Sequence, residues 1–294
     1  MVAKEDLMSE HNLIAIGSSV KEGQHVRHKG SDIEKGESLF RVGTQVDIGA
    51  QALIASLGIA TVSTYSIQKV AVLSTGDELV HYSKAPKWGQ IRNTNNLMLC
   101  NLLRSMGIQA TDLGTVRDNL PDTVAAIKDA LKHDVIISTG GVSVGEFDFV
   151  KQALTEANIQ LEFWKVAMKP GKPVVYGSHE SGTHFFGLPG NPGSAFVAFS
   201  LFLRPFLKKL MGSTSPQDWT INGFLSEEYK KKSRRAHFLR ANVTMDSEQP
   251  IFNISRPQGS GSLLSICDVD ALVKIPAETL VIDMKTKVEA ILLK

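Results

Sequence analysis

Residues 134–150 read DVIISTGGVSVGEFDFV, and this stretch decides the fold. An apolar run of β-formers stops at Ser138-Thr139-Gly140-Gly141. A loop of hydroxyls and glycines follows, then an acidic pair, Glu146 and Asp148, at the mouth of a helix. A glycine-rich turn after a strand lets backbone N–H groups approach an anion closely, and a helix N-terminus adds partial positive charge and free donors. Taken once, the pattern is also that of an ordinary strand-to-helix turn. The chain repeats it.

Upstream, residues 70–73 form a continuous apolar run suited to a parallel strand buried on both faces, ending in Ser74-Thr75-Gly76-Asp77-Glu78. The spacing then predicts a helix capped by Asn95, carrying Leu97, Leu99, Leu102, Leu103 and Met106 and closed by Gly107. A strand over 108–116 runs into Arg117-Asp118-Asn119, and Pro121 opens a helix with Val124, Ile127 and Leu131 inward. Downstream come a helix over 149–157, a strand over 159–167, the turn Lys169-Pro170-Gly171-Lys172-Pro173, and strands over 174–177 and 184–188. The loop Pro189-Gly190-Asn191-Pro192-Gly193 leads to a helix over 194–210, whose Phe196, Phe199, Phe202 and Phe206 read as core. Alternating strands and helices mark an open, mostly parallel α/β sheet between helical layers.

The ends read differently. Before Asp47 there are short strand-like pieces at 13–16 and 38–42 between glycines; 47–57 reads as a helix followed by Gly58, and 61–66 alternates as a strand. A Ser-, Pro- and Asp-rich linker at 213–219 precedes a small β domain with strands over 238–243, 251–254, 271–275 and 288–293. The basic run from Lys230 to Arg235 reads as a solvated loop. The division is 1–66, a β-rich segment; 67–213, the α/β domain; and 214–294, the β domain.

With 32 basic and 30 acidic residues among 294, bulk charge gives no ground for nucleic-acid or acidic-membrane binding. Cys100 and Cys267 lack companions at disulfide or zinc spacing, which fits a reducing, cytoplasmic compartment. The longest apolar run stops at Arg204, too short for a membrane span, and the charged N-terminus is no signal peptide. His81, His133, His179, His184 and His237 show no ligand spacing and read as structural or exposed.

In an open α/β sheet, ligands bind beyond the carboxyl ends of the strands. The loops Thr75–Glu78, Thr139–Ser143, Lys169–Lys172 and Pro189–Pro192 gather there. They bring glycines and hydroxyls to wrap an anion, acids (Glu78, Asp118, Asp148) and bases (Lys165, Lys169, Lys172). Carboxylates beside phosphate-cradling loops fit a hard cation such as Mg²⁺, and lysines neutralise the remaining anionic charge. Lys165 and Lys169 are an even number of residues apart, so on one extended strand they would face the same side. Walker A and GxGxxG motifs are missing from the sequence.

VAVLSTGDEL (70–79), STGGVSVGEFD (138–148), AMKPGKP (167–173) and LPGNPGS (188–194), in this order, resemble the molybdopterin molybdenumtransferases. This is the MoeA family, which includes the corresponding domain of gephyrin. The resemblance implies a molybdopterin-binding α/β domain, a C-terminal β-barrel-like domain and a homodimer. The implied reaction inserts molybdate into adenylylated molybdopterin, with Mg²⁺-dependent release of AMP. Glu78, Asp118 and Asp148 match the family's acids and candidate metal ligands; Lys165 and Lys169 match its paired lysines. Thr75, Gly76, Gly140, Gly141, Ser143, Lys172, Pro189, Gly190, Asn191 and Pro192 fall on its substrate-binding loops. Asp32 matches the acid of an RxxGxDI element, and Arg240 and Ser260 are carried over from the last domain. Other molybdenum-cofactor biosynthesis proteins are the implied partners. Full-length members carry an N-terminal extended domain and an inserted small domain where this chain has 22 residues before Gly23, so the resemblance implies either an N-terminally truncated chain, with 1–66 as a remnant, or a degenerate member that keeps the substrate cleft without full activity. Two alternatives stand beside the transferase: a molybdopterin adenylyltransferase, and a binding or scaffold module that holds molybdopterin without turnover.

Overall fold

The computed structural model describes residues 7–10, 13–16, 19, 21–141 and 149–293. The chain divides into two compact units, Met1–Thr44 and Gln45–Lys294. In the first, β1 (Leu7–Glu10) pairs antiparallel with β2 (Leu13–Ile16), and a series of turns follows. The strand expected at 38–42 is not formed, because no second segment among the described residues pairs with it.

The second unit opens with α1 (Ile48–Ser56), where the Asp47 carboxylate accepts the Ala50 N–H at 2.8 Å. The strand expected at 61–66 is also absent: this exposed segment finds no ladder partner. The α/β layer then builds β3 (Val70–Thr75), the short pair β4 (Leu79–His81) and β5 (Ile91–Asn93), α2 (Asn95–Ser105), β6 (Thr111–Val116), α3 (Leu120–Ala130), β7 (Val135–Thr139), α4 (Phe149–Glu156) and β8 (Gln160–Trp164). After β9 (Met168–Lys169) come β10 (Val175–Ser178), β11 (His184–Leu188), α5 (Pro192–Ala198), a π-helical turn at Phe199–Leu203, and α6 (Arg204–Leu210).

The sheet runs β6-β3-β7-β11-β10-β8, with its first four strands parallel. Alternation along β3 shows why it is three layers thick. Val70 and Val72 pack towards α2 and α5 with Leu99, Leu103, Ala195 and Phe199, while Ala71 and Leu73 pack towards α3 and α4 with Ile127, Ala153 and Leu154. The helical phenylalanines join the first of these clusters, as expected of core.

The C-terminal segment closes on itself. β14 (Ala236–Asp246), β15 (Gln249–Ile254), β12 (Thr220–Leu225), β18 (Lys287–Leu292) and β16 (Ala271–Ile275) pair in a ring around Leu239, Ala241, Phe252, Val273 and Ala290. Closure leaves no open edge within the ring. The short pair β13 (Tyr229–Lys230) and β17 (Val281–Ile282) sits beside it. The sequence pattern did not announce β12, because Asn222 and Gly223 interrupt it. Gly223 is required there: a Cβ would lie 2.9 Å from both Phe252 Cε2 and Pro250 Cβ.

Three further expectations are corrected. The α2 N-cap position is Thr94, the Asn96 N–H is accepted by Asn93 Oδ1 at 3.2 Å, and Asn95 is the first residue of the helix and not its cap. Lys165 and Lys169 do not share a strand, because β8 ends at Trp164, Lys165 takes φ +77° and Lys169 belongs to β9. The basic run is not a uniformly solvated loop: Lys231 is buried, and its ammonium donates to the carbonyls of Arg235, Pro276 and Ala277 at 2.7, 2.6 and 3.0 Å. Lys231→Met should therefore cost about 2–4 kcal/mol by stranding these acceptors, whereas Lys230→Met at the exposed neighbour should stay within about 0.5 kcal/mol. Denaturant unfolding of the two variants checks the contrast.

Candidate functional site

Ser74 of β3 pairs in register with Thr139 of β7, and Thr139 with Leu188 of β11. Three parallel strands thus end at one level, and the loops that follow emerge on one rim. Trp164 pairs with Val175, and Val175 with Gly187, so the 165–174 loop rises at the same edge. The row is tied by hydroxyls: Ser74 Oγ lies 2.6 Å from Thr139 Oγ1 and donates to Asn96 Oδ1 at 2.5 Å, while Asn96 Nδ2 donates to Asp112 at 2.6 Å. This buried network fixes the floor of the rim.

Above the floor, glycine is a steric requirement. Gly140 (φ +87°) faces the Thr75 carbonyl so closely that no Cβ fits, and at Gly141 (φ +63°) a Cβ would come 2.8 Å from Thr75 Oγ1. Thr75 Oγ1 is itself buried without a hydrogen-bond partner among the described residues. The backbone is thus exceptionally close-packed at the position the sequence assigns to an anion cradle. Ser143 and Asp148, expected next along this loop, lie outside the described residues, as does Glu146.

Glu78 and Asp118 come together with a third acid that the sequence reading passed over, Asp77. The Glu78 carboxylate folds over Gly76, and Asp77 Oδ1 accepts the Asp118 N–H at 3.2 Å. The Asp118 carboxyl is pushed above the usual carboxylate range by burial, then by the charges of Asp77 and Glu78. That concentration of negative potential fits the oxygen donors a divalent cation takes. Among the described residues no group of three or more His, Cys, Asp or Glu side chains forms a metal site. Asp32 lies in the first unit, in an exposed ion pair with Arg27 at 3.0 Å.

The other half of the rim is made with the barrel. Asn95 Nδ2 donates to the Gly190 carbonyl at 2.7 Å, and Asn191 Nδ2 donates to Ser260 Oγ at 3.1 Å. Ser260 also accepts the Ser194 N–H at 3.1 Å, and Gly193 makes room, since a Cβ there would sit 2.8 Å from the Ser260 carbonyl. Behind this loop stands Arg240, fully buried. Gln258 clasps its backbone in both directions and Arg240 Nη2 donates to the Gly259 carbonyl at 3.2 Å, but Nε and Nη1 have no partner among the described residues. Burial lowers its pKa to about 10, partly offset by Tyr229.

The lysine loop bridges the two domains. Gly171 packs on Ser194 and Ala198 of α5, while β9 pairs with β14, placing Lys169 opposite His237; Lys165, Lys169 and Lys172 are exposed. Gln258 escaped the sequence reading, as did Asp77 as an acid of the site, while Asn95 was read only as a helix cap and His237 only as structural or exposed. The run Asn93-Thr94-Asn95-Asn96 carried a signal, because one helix cap needs only one such side chain.

An open α/β domain with a loop-lined rim, carrying a docked barrel, is the class these features define. Residues 71–209 match the family described as "Probable molybdopterin binding domain", and residues 222–293 match "MoeA C-terminal region (domain IV)". A Staphylococcus aureus relative named molybdopterin molybdenumtransferase is 30% identical over 277 residues, covering 94% of this chain and 66% of its own length. A Haemophilus influenzae relative of the same name is 42% identical over 206 residues, 70% of this chain and 50% of that protein. The crystal structure of a Pyrococcus horikoshii molybdopterin biosynthesis MoeA protein superposes with a TM-score of 0.79 at 30% identity, covering 99% of this chain and 71% of that one. The chain belongs to the MoeA family. It spans 66% of the length of the Staphylococcus aureus relative. Among the described residues no helix is long and apolar enough to cross a membrane.

His237 also offers a pH test of the joint. Burial, then Lys169, Lys231 and Arg235, lower its pKa from 6.5 to about 4. Between those values the unfolded chain binds a proton that the folded chain refuses. Stability contributed by the neutral ring is therefore complete above pH 6.5 and falls, by up to about 3 kcal/mol, as pH drops towards 4. Denaturant midpoints across this window should show the loss, and His237→Gln should flatten it.

Proposed function

We propose that the chain inserts molybdate into adenylylated molybdopterin with release of AMP, a step of molybdenum cofactor biosynthesis. The observation that carries the reading is the buried Arg240 guanidinium, whose Nε and Nη1 have no partner among the described residues, behind a barrel loop docked on Pro189–Pro192. Buried guanidinium nitrogens left without acceptors are costly, and a tetrahedral oxyanion supplies the acceptors that Nε and Nη1 lack. Arg240, the Ser260 hydroxyl and the Asn191 carboxamide form the oxyanion side of the site. Lys165, Lys169 and Lys172 add point charges at its mouth. Thr75, Gly76, Gly140, Gly141, Pro189, Gly190 and Pro192 shape the surface against which the pterin and its phosphates bind, and Ser143 is proposed as a further substrate-binding residue from the sequence alone.

Magnesium fits the acids on the far side: Glu78 and Asp118 are the described residues that would hold it, Asp148 is proposed as a third ligand from the sequence alone, and the ion's charge would offset that of the phosphates. Asp77 fixes the Asp118 backbone and raises the local negative potential. In this reading residues 67–213 bind the pterin and 214–294 supply the oxyanion half. A cytoplasmic homodimer working with other molybdenum-cofactor biosynthesis proteins is part of the proposal.

The test is AMP release from adenylylated molybdopterin, with and without molybdate. The expected outcome is molybdate-dependent release that falls at least about 10²-fold in Arg240→Met. The same substitution removes an uncompensated buried charge, so its thermal midpoint should hold or rise. Asp118→Ala should lose turnover with the fold intact. Turnover at the unmodified rate in either variant contradicts the proposal.

A further inference from the structure

Beyond the oxyanion pocket lies a second buried polar group with an unused atom. His237 is 3% exposed; its Nδ1 lies 2.8 Å from the Tyr229 hydroxyl, and its Nε2 has no hydrogen-bond partner among the described residues. On the β9–β14 ladder it sits directly opposite Lys169, and paired residues place their side chains on one face of the sheet.

We propose that His237 is a positioning residue for Lys169, presenting Nε2 as the acceptor that holds the Lys169 ammonium at the base of the lysine loop. The surrounding cations favour this assignment. Lys231 is saturated by three carbonyls, and Arg235 donates to Ser233 Oγ at 3.2 Å and to the Met168 carbonyl at 3.3 Å. The Lys169 side chain has no hydrogen bond or ion pair to the described residues, its strand pairing being through the backbone. Glu278 acts on Lys231, and Tyr229 faces Arg240 as well as the ring. In so positive a setting the ring keeps its lone pair towards the cations and its N–H towards the Tyr229 oxygen. The barrel thereby fixes a charge that the α/β loop carries. This goes further than the proposed transferase reading and rests on it only where Lys169 is taken to contact the oxyanion.

Nitrogen-15 spectra of the full chain near neutral pH test it directly. The expected result is an unprotonated His237 Nε2, together with Lys169 ammonium protons shielded from exchange, assigned by their loss in Lys169→Arg. His237→Gln should keep that shielding and His237→Phe should abolish it. With tungstate as the probe, His237→Phe should bind about tenfold more weakly and His237→Gln within about twofold of the unmodified chain. A protonated Nε2, or shielding that survives in His237→Phe, overturns the proposal. Shielding lost with tungstate affinity unchanged supports the positioning and instead overturns the reading of Lys169 as an oxyanion contact.

Discussion

Ser74, Thr139 and Leu188 stand in one row across three parallel strands, and the rest of the site depends on that register. A parallel sheet delivers every loop that follows a strand to the same edge, so a row held in step sets the loops in step. Apolar pressure from both helical layers holds the strands, and the hydroxyl pair Ser74–Thr139 with Asn96 and Asp112 pins them at the rim. A slip of one residue would turn Leu73 out of its layer and bring Thr75 out of step with Gly140.

The α/β domain supplies glycines, acids and the lysine loop, while the barrel supplies the buried cation. Each half lacks what the other brings. The contact between them is built from small residues and backbone: Gly193 against Ser260, Gly171 against α5, and β9 against β14. Close backbone approach of this kind leaves little freedom, so Arg240 and the Pro189–Pro192 loop hold their spacing without a ligand. Preorganised donors of this sort stabilise an anion because no reorganisation is needed when it arrives.

The alternating strands and helices, the glycine loops and the barrel's main strands were legible in the sequence because their signals are local. Apolar runs, glycines after strands and proline after Asn191 speak for themselves. What stayed hidden depends on distance in space. Asn95 reads as a helix cap until Gly190, 95 residues away, takes its amide. Lys231 reads as one more surface cation until three carbonyls close on it. Lys165 and Lys169 seemed to share a strand because spacing cannot show that Lys165 turns to positive φ. Asp77 was hidden by Glu78 beside it, and only the return of Asp118 from another strand showed its use.

The central claim is that the oxyanion is held at the joint between the two domains, by Arg240 and Ser260 together with the Pro189–Pro192 loop. Anomalous diffraction at a tungsten edge, from crystals of the full chain soaked in tungstate, tests it most directly. The account predicts a peak within hydrogen-bonding reach of the Arg240 guanidinium and the Ser260 hydroxyl. A peak only at surface lysines, or none at this joint, would contradict it.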